Sequence, residues 1–378
     1  MNRNISKYSP LNPPNGGLVA VQDFNDFGNS EHSLIISACQ TPFPFLGKGW
    51  GWGSLKEMFI SKFLFLLIAL LLSSFAFASD YNFIVAADGS GDFRTVQEAI
   101  NAVPDFRKNE TRIFIKNGIY KEKLVLAGSK TNVTFIGEDR DQTILTYDDF
   151  AQKKNRFGEE VGTTGSTSFF VFGDGFHAEN ITFENSSGPV GQAVAVRVDG
   201  DMVTFINCRF LGNQDTLYPH GEKSRQYYKN CYIEGTVDFI FGWSTAVFDR
   251  CEIVCKDHGY ITAPSTNEGT AHGFVFLDCK ISGDAPEASF YLGRPWRPFG
   301  KTAFLRCDLG KMIKPEGWHN WGKTENEKTA FFAEYKNTGA GASTEKRVGW
   351  SHQLTDAEAV GYTPEKILGE WVKKYSSQ

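Results

Sequence analysis

The chain has no strongly basic stretch: its 39 Lys and Arg are outnumbered by 44 Asp and Glu, leaving a formal charge of −5. A nucleic-acid binder needs a basic footprint, so nucleic acid is not an expected partner. Metal-site spacing is missing too. The seven cysteines form no CxxC pair and no Cys/His cluster with zinc spacing, and His177, His220, His258, His272, His319 and His352 are too scattered to demand a metal. No long amphipathic helix can be traced, and the Leu lattice of a leucine-rich repeat is absent. Present instead are 33 Phe and 38 Gly in a chain 41% hydrophobic and 22% charged. That composition excludes a disordered or collagen-like chain and supports a large, turn-rich core. The 378 residues suggest two or three domains on length alone, but a solenoid of this size can be one unit.

The one long apolar run, Phe63 to Leu72, follows Lys56 and Lys62 and leads into Ala76-Phe77-Ala78. A basic n-region, an apolar h-region and a small-x-small exit are the layout of a secretory signal, although the stretch to Ala78 approaches the length of a membrane span. The expected organisation is an extension at 1–57, a signal peptide at 58–79 and one domain at 80–378. Either Met58 is the true start, or the chain carries a cytoplasmic tail. Secretion is expected, to the cell exterior, the cell wall or a periplasm, with no stable membrane anchor.

Removing the segment before Met58 leaves six cysteines, five of which fall into a repeat. Phe205, Tyr228, Phe248, Phe276 and Phe304 lie three residues before Cys208, Cys231, Cys251, Cys279 and Cys307; Phe210, Ile233, Ile253, Ile281 and Leu309 lie two after. Val133 and Ile181 fit the cysteine slot of the same frame. Successive slots are 48, 27, 23, 20, 28 and 28 residues apart, the first read as a double interval. The slot is inward and apolar, with cysteine as a small hydrophobe; stacking would also bring Cys231 near enough to Cys251 for a bridge without requiring one. Short segments rich in Phe, Val, Ile and Thr, divided by Gly, Asn and Asp, predict an all-β solenoid: a parallel β-helix with short capping helices. Thr95 to Glu98 is a capping box opening one cap. Thr355 to Glu358 and Thr363-Pro364 open the other.

Asp215 and Asp238 each follow a slot cysteine, Cys208 and Cys231, by seven residues. If the slots stack, so do the carboxylates, and two like charges on neighbouring coils compete for ionisation. A solvated Asp ladder is the plain alternative, but the flanking Val237, Phe239, Ile240 and Phe241 do not explain a solvated acid. Tyr218 follows Asp215 by three residues.

Gln214-Asp215-Thr216-Leu217, Asp238-Phe239-Ile240-Phe241-Gly242 and Leu292-Gly293-Arg294-Pro295-Trp296 resemble the three signature segments of the pectin methylesterase (pectinesterase) family. Further matches run from about Tyr81 to the C-terminus, among them Gly118 to Glu122, Gln192 to Ala195, Gly173 to Phe176 and Arg347 to Trp350. The resemblance implies a right-handed parallel β-helix that hydrolyses galacturonate methyl esters in pectin and releases methanol without metal or organic cofactor. By motif, Asp238 would be the nucleophile and Asp215 the acid and then the base. Gln192 and Gln214 would donate to the oxyanion, Arg294 would hold Asp238, and Trp296 would face the sugar. Thr163, in a looser Thr-x-x-Ser match, would touch substrate, and Tyr218, just after the first segment, is a candidate sugar platform. The partner implied is methylated homogalacturonan, bound by a monomer.

Two departures from the family pattern stand out: Pro219 to Lys223 is about two residues longer than usual, and Trp243 replaces a small or polar residue. The rivals are a polygalacturonase or pectate lyase on the same scaffold, for which Asp257-His258-Gly259 is only a faint echo, and a non-catalytic carbohydrate-binding β-helix. Asn-x-Ser/Thr sequons occur at Asn109, Asn132, Asn180 and Asn185; those at Asn132 and Asn180 are read as turn-side amides of the repeat.

Overall fold

A computed structural model describes residues 81–376. The expected signal at 58–79, the extension at 1–57 and Cys39 lie outside the described residues. The strand segments are too short to be stable alone and find partners only by winding. They form three parallel sheets of 11, 8 and 7 strands, in which seven complete turns of the coil each give one strand to each sheet. One coil runs Val203–Ile206, Arg209–Leu211 and Leu217–Pro219 before Arg225–Lys229 re-enters the first sheet. This is the expected parallel β-helix.

The repeat read from the sequence is the corner between the first and second sheets. Phe205, Tyr228, Phe248, Phe276 and Phe304 stack rung on rung, with centroids 5.2, 4.7, 4.5 and 4.3 Å apart. Across the corner Phe210 pairs with Ile233, Ile233 with Ile253, Ile253 with Ile281 and Ile281 with Leu309. The slot cysteines are buried and free. Each thiol donates to a backbone carbonyl of the preceding coil, as Cys279 does to Phe248 at 3.2 Å, so the bridge that stacking allowed between Cys231 and Cys251 is not made. The residue before each slot turns the chain in the left-handed region: Asn207, Asn230, Arg250, Asp278 and Arg306 have φ between 50° and 55°.

Two parts of the expected frame are corrected. Thr111 pairs with Val133 and Thr134 with His177, which puts Val133 in a first-sheet strand, while Ile181 does occupy the corner beside Cys208. Left-handed asparagines precede both, Asn132 at φ 54° and Asn180 at φ 57°, so the strings look alike at different corners. The first interval is therefore a single coil, Val133–Gly137, Thr143–Tyr147 and Phe169–Val171, enlarged by an insertion at 148–168.

The caps also differ from each other. The helix Val96–Ala102, with the expected Thr95/Glu98 capping box, buries Val96, Ala99 and Ile100 in the interior and closes the N-terminal end. The C-terminal helices Asp356–Ala359 and Pro364–Leu368 lie instead on the outer face of the first sheet, where Ala359, Leu368 and Val372 cover Tyr227, Val247, Val275 and Ala303. Strands such as Phe274–Leu277 read as unbroken apolar runs because both faces are buried. The C-terminal end of the core is closed by Trp318, Phe332, Val348 and Trp350 without a helix.

Candidate active site

The two acids sit where the second sheet turns into the third. Both turn the chain in the left-handed region, Asp215 at φ 64° and Asp238 at φ 51°, a conformation that Asp tolerates better than most residues. Leu217 pairs with Ile240, and Asp215 N–H donates to Val237 O at 3.1 Å, so the acids stack coil on coil as the cysteine register predicts. Each is only 7% exposed.

Burial raises the pKa of both carboxyls, because neither can be hydrated as an anion. What separates them is Arg294. Its Nε donates to Asp238 Oδ1 at 2.8 Å and its Nη2 to Oδ2 at 2.7 Å, a bidentate fork that favours the ionised form. Among the described residues nothing hydrogen-bonds the Asp215 carboxyl, which is pushed well above the usual range by burial and then by the charge of Asp238. The surroundings therefore favour the proton on Asp215 and the negative charge on Asp238.

The acids lie in a cavity of about 590 Å³ whose lining includes Thr163, Gln192, Gln214, Tyr218, Arg294 and Trp296. All eight residues singled out in the sequence thus meet in one cleft. Gln192 and Gln214 form a bridge between neighbouring coils. Gln152 Nε2 donates to Gln192 Oε1 at 3.1 Å, fixing that amide so that its own N–H₂ is left for other partners. Gln152 and Thr163 both come from the insertion at 148–168. Asn185 holds that insertion down, its Nδ2 donating to Asp149 O, Ser166 O and Val194 O at 2.9 to 3.1 Å. A side chain so buried and so committed is not available as a glycan acceptor.

Aromatic rings make one wall. Tyr218 stacks on Phe241 at 4.0 Å and has Arg197 5.4 Å from its ring centroid, so it presents an edge to the cavity. Trp296 is half-buried beside Phe241. Trp243, the unusual residue after the Asp238 block, packs 4.9 Å from Trp296 and supports it from outside the lining. The long turn from Pro219 to Lys223 contributes nothing to the lining.

Sequence reasoning missed Phe241 as a cleft residue, along with Ala263, Trp321 and Gln152. Phe241 was within reach: it follows Asp238 by three residues as Tyr218 follows Asp215, so the stacking that pairs the acids pairs the rings. Trp321 comes from a loop outside the repeat and carries no periodic signal.

The Pectinesterase family model matches residues 82–370. Pectinesterase 31 of Arabidopsis thaliana is 46% identical over 281 residues, covering 73% of this chain and 88% of that protein. Probable pectinesterase/pectinesterase inhibitor 36 of Arabidopsis thaliana is 40% identical over 77% of this chain, which spans 58% of its length. Among solved structures, the pectin methylesterase from carrot superposes with a TM-score of 0.71 at 36% identity, over 79% of this chain and 96% of its own. A pectin methylesterase in complex with a hexasaccharide gives 0.68 at 32%, over 78% and 98%. With the family model spanning most of the chain and a relative matching over most of both lengths, the chain belongs to the pectinesterase family, carboxylic ester hydrolases that demethylate pectin.

Proposed function

We propose that this chain hydrolyses the methyl ester of galacturonate units in homogalacturonan by covalent catalysis at Asp238. An Asp238 carboxylate oxygen attacks the ester carbonyl carbon, and the carbonyl oxygen takes the negative charge. Gln192 and Gln214 donate N–H groups to that oxyanion, each worth about 3 kcal/mol when preorganised, without adding a charge to disturb the acids. As the intermediate collapses, methoxide leaves and takes the proton of Asp215, giving methanol and an acyl-enzyme. Water then attacks the same carbon, its proton passes to the Asp215 carboxylate, and Asp238 departs with its charge restored. Arg294 keeps Asp238 ionised and aimed. Trp296 packs on the sugar, Tyr218 offers its edge, and Thr163 contacts substrate from the insertion.

The observation that carries this reading is the buried acid pair with an arginine fork on one member only, which divides the roles of nucleophile and proton donor. The polymer is bound by a monomer, and the segment around 63–78 supports export. Methanol release from methylated pectin, followed together with viscosity and unsaturated-product absorbance, tests the reaction. Methanol with unchanged chain length is expected; chain cleavage without methanol overturns the reading.

A further inference from the structure

Arg294 is held by more than its carboxylate. Its guanidinium carbon lies 3.7 Å from the centroid of the Tyr260 ring and 3.8 Å from that of Trp321, so the planar group is sandwiched between two aromatic faces. The stack continues outward: Tyr260 lies on Tyr291 at 5.3 Å and 10°, and Lys314 Nζ is 5.2 Å from the Tyr291 centroid. At the other end the Trp321 backbone N–H donates to His319 Nδ1 at 3.1 Å, and the His319 ring is 5.7 Å from Tyr260. The register explains the placement. Ile240 pairs with Thr262, so by the same count Tyr260 stands on the coil after Asp238. A guanidinium on a flexible side chain can swing and keep one of two bonds; aromatic faces on both sides remove that freedom.

We propose that Tyr260 is a positioning residue of the reaction, acting through Arg294 by keeping its fork in line with both oxygens of Asp238. The inference rests on Asp238 being the nucleophile. The titratable and charged groups around the Asp238–Arg294 pair are Asp215 on the preceding coil, Tyr260 against the guanidinium and His319 beside Tyr260. Burial, and then Arg294, push the His319 pKa down, so this ring adds no charge near neutrality. The acidic limb of activity reports the ionisation of Asp238, which the Arg294 fork favours, and a shift of that limb between variants that all keep His319 reads the fork.

The test compares Tyr260→Leu, Tyr260→Phe and Tyr291→Leu by kcat and KM for methanol release across pH. Tyr260→Leu is expected to lower kcat roughly 10- to 100-fold, the size of effect a small misplacement causes, with KM little changed. It also moves the acidic limb to higher pH, since a loosened Arg294 lets the Asp238 pKa rise, so the loss is greatest at low pH. Tyr260→Phe keeps the ring and stays close to wild type. Tyr291→Leu, one ring further out and half-exposed, shifts the limb in the same direction by less. A loss independent of pH, an effect on KM alone, or a Phe variant as impaired as Leu overturns the proposal. Should Tyr260→Leu fail to fold, an unmoved acidic limb in Tyr291→Leu overturns it. Absence of methanol release from the wild type takes down the reading of the reaction, and this inference with it, whereas a wild type that releases methanol beside a silent Tyr260→Leu removes this inference alone.

Discussion

The chain makes left-handed turns at all three corners of its coil and uses two of them for opposite purposes. Between the first and second sheets the left-handed residues repeat, and cross-coil bonds satisfy them: Asn207 Nδ2 donates to Asn180 Oδ1 at 2.6 Å, and Arg306 forks onto Asp278 at 2.8 and 2.7 Å. Between the second and third sheets, Asp215 and Asp238 adopt the same backbone conformation but their side chains line a cavity, with Arg294 on one and no such partner on the other. Identical geometry thus serves packing where neighbours match. It serves chemistry where they do not.

The largest expected effect comes from removing the difference between the two acids. Asp238→Asn deletes the attacking oxygen anion, and no other residue on that face can form the acyl-enzyme, so activity falls at least ~1000-fold. Asp215→Asn keeps the shape but neither gives methoxide a proton nor takes one from water, so a loss of ~100- to 10000-fold follows. The two separate with a substrate whose leaving alcohol is more acidic than methanol: acylation recovers in part in the Asp215 variant and not in the Asp238 variant. The opposite pattern reverses the roles.

Asp215→Asn has a second signature, in stability. Because burial raises the folded-state pKa of Asp215 above its ordinary 3.8, the wild type is favoured by the neutral carboxyl below the unfolded value and loses that contribution as pH rises through the folded value. The Asn variant, which never ionises, is expected to melt higher than wild type near pH 7, with the gap closing as pH falls toward the ordinary carboxylate value. A gap that widens on acidification means that the Asp215 anion is stabilised by the fold.

Much of this was legible in the sequence because a solenoid repeats its errors as well as its rungs. Five cysteines with aromatics three before them and aliphatic or Phe side chains two after fix the inward face, and the interval of seven to Asp215 and Asp238 fixes the cleft face from the same register. The repeat is silent where it is interrupted. The insertion at 148–168 was hidden by a matching Asn-x-Thr-Phe string at Asn132, and Trp321 and the seat of the C-terminal helices depend on side chains meeting across coils. Tyr227, Val247, Val275 and Ala303 did carry a signal for that seat, since apolar residues at outward positions require a cover.

A smaller effect is expected where the cleft uses binding rather than charge. Trp296→Ala removes apolar surface that ground and transition states touch alike, so KM rises roughly tenfold, equivalent to about 1.4 kcal/mol, with turnover nearly kept. A collapse of turnover at constant KM places Trp296 in the chemistry instead.

The smallest expected effect tests the comparison itself, at the corner that does no chemistry. Asn207 has φ 50° and also accepts from Arg140 Nη1 at 3.0 Å. Asn207→Gly keeps the left-handed turn but loses the amide bonds, at a cost of about 1 kcal/mol. Asn207→Ala loses the same bonds and adds the strain of a Cβ in that region, about 1–2 kcal/mol more. Chemical denaturation reads the difference, with kcat/KM of the folded protein expected to stay at the wild-type level for both. Equal losses for Gly and Ala mean that the corner's conformation is not what Asn207 relieves. A drop in kcat/KM means that the two corners are coupled, and the division between a packing corner and a catalytic corner fails.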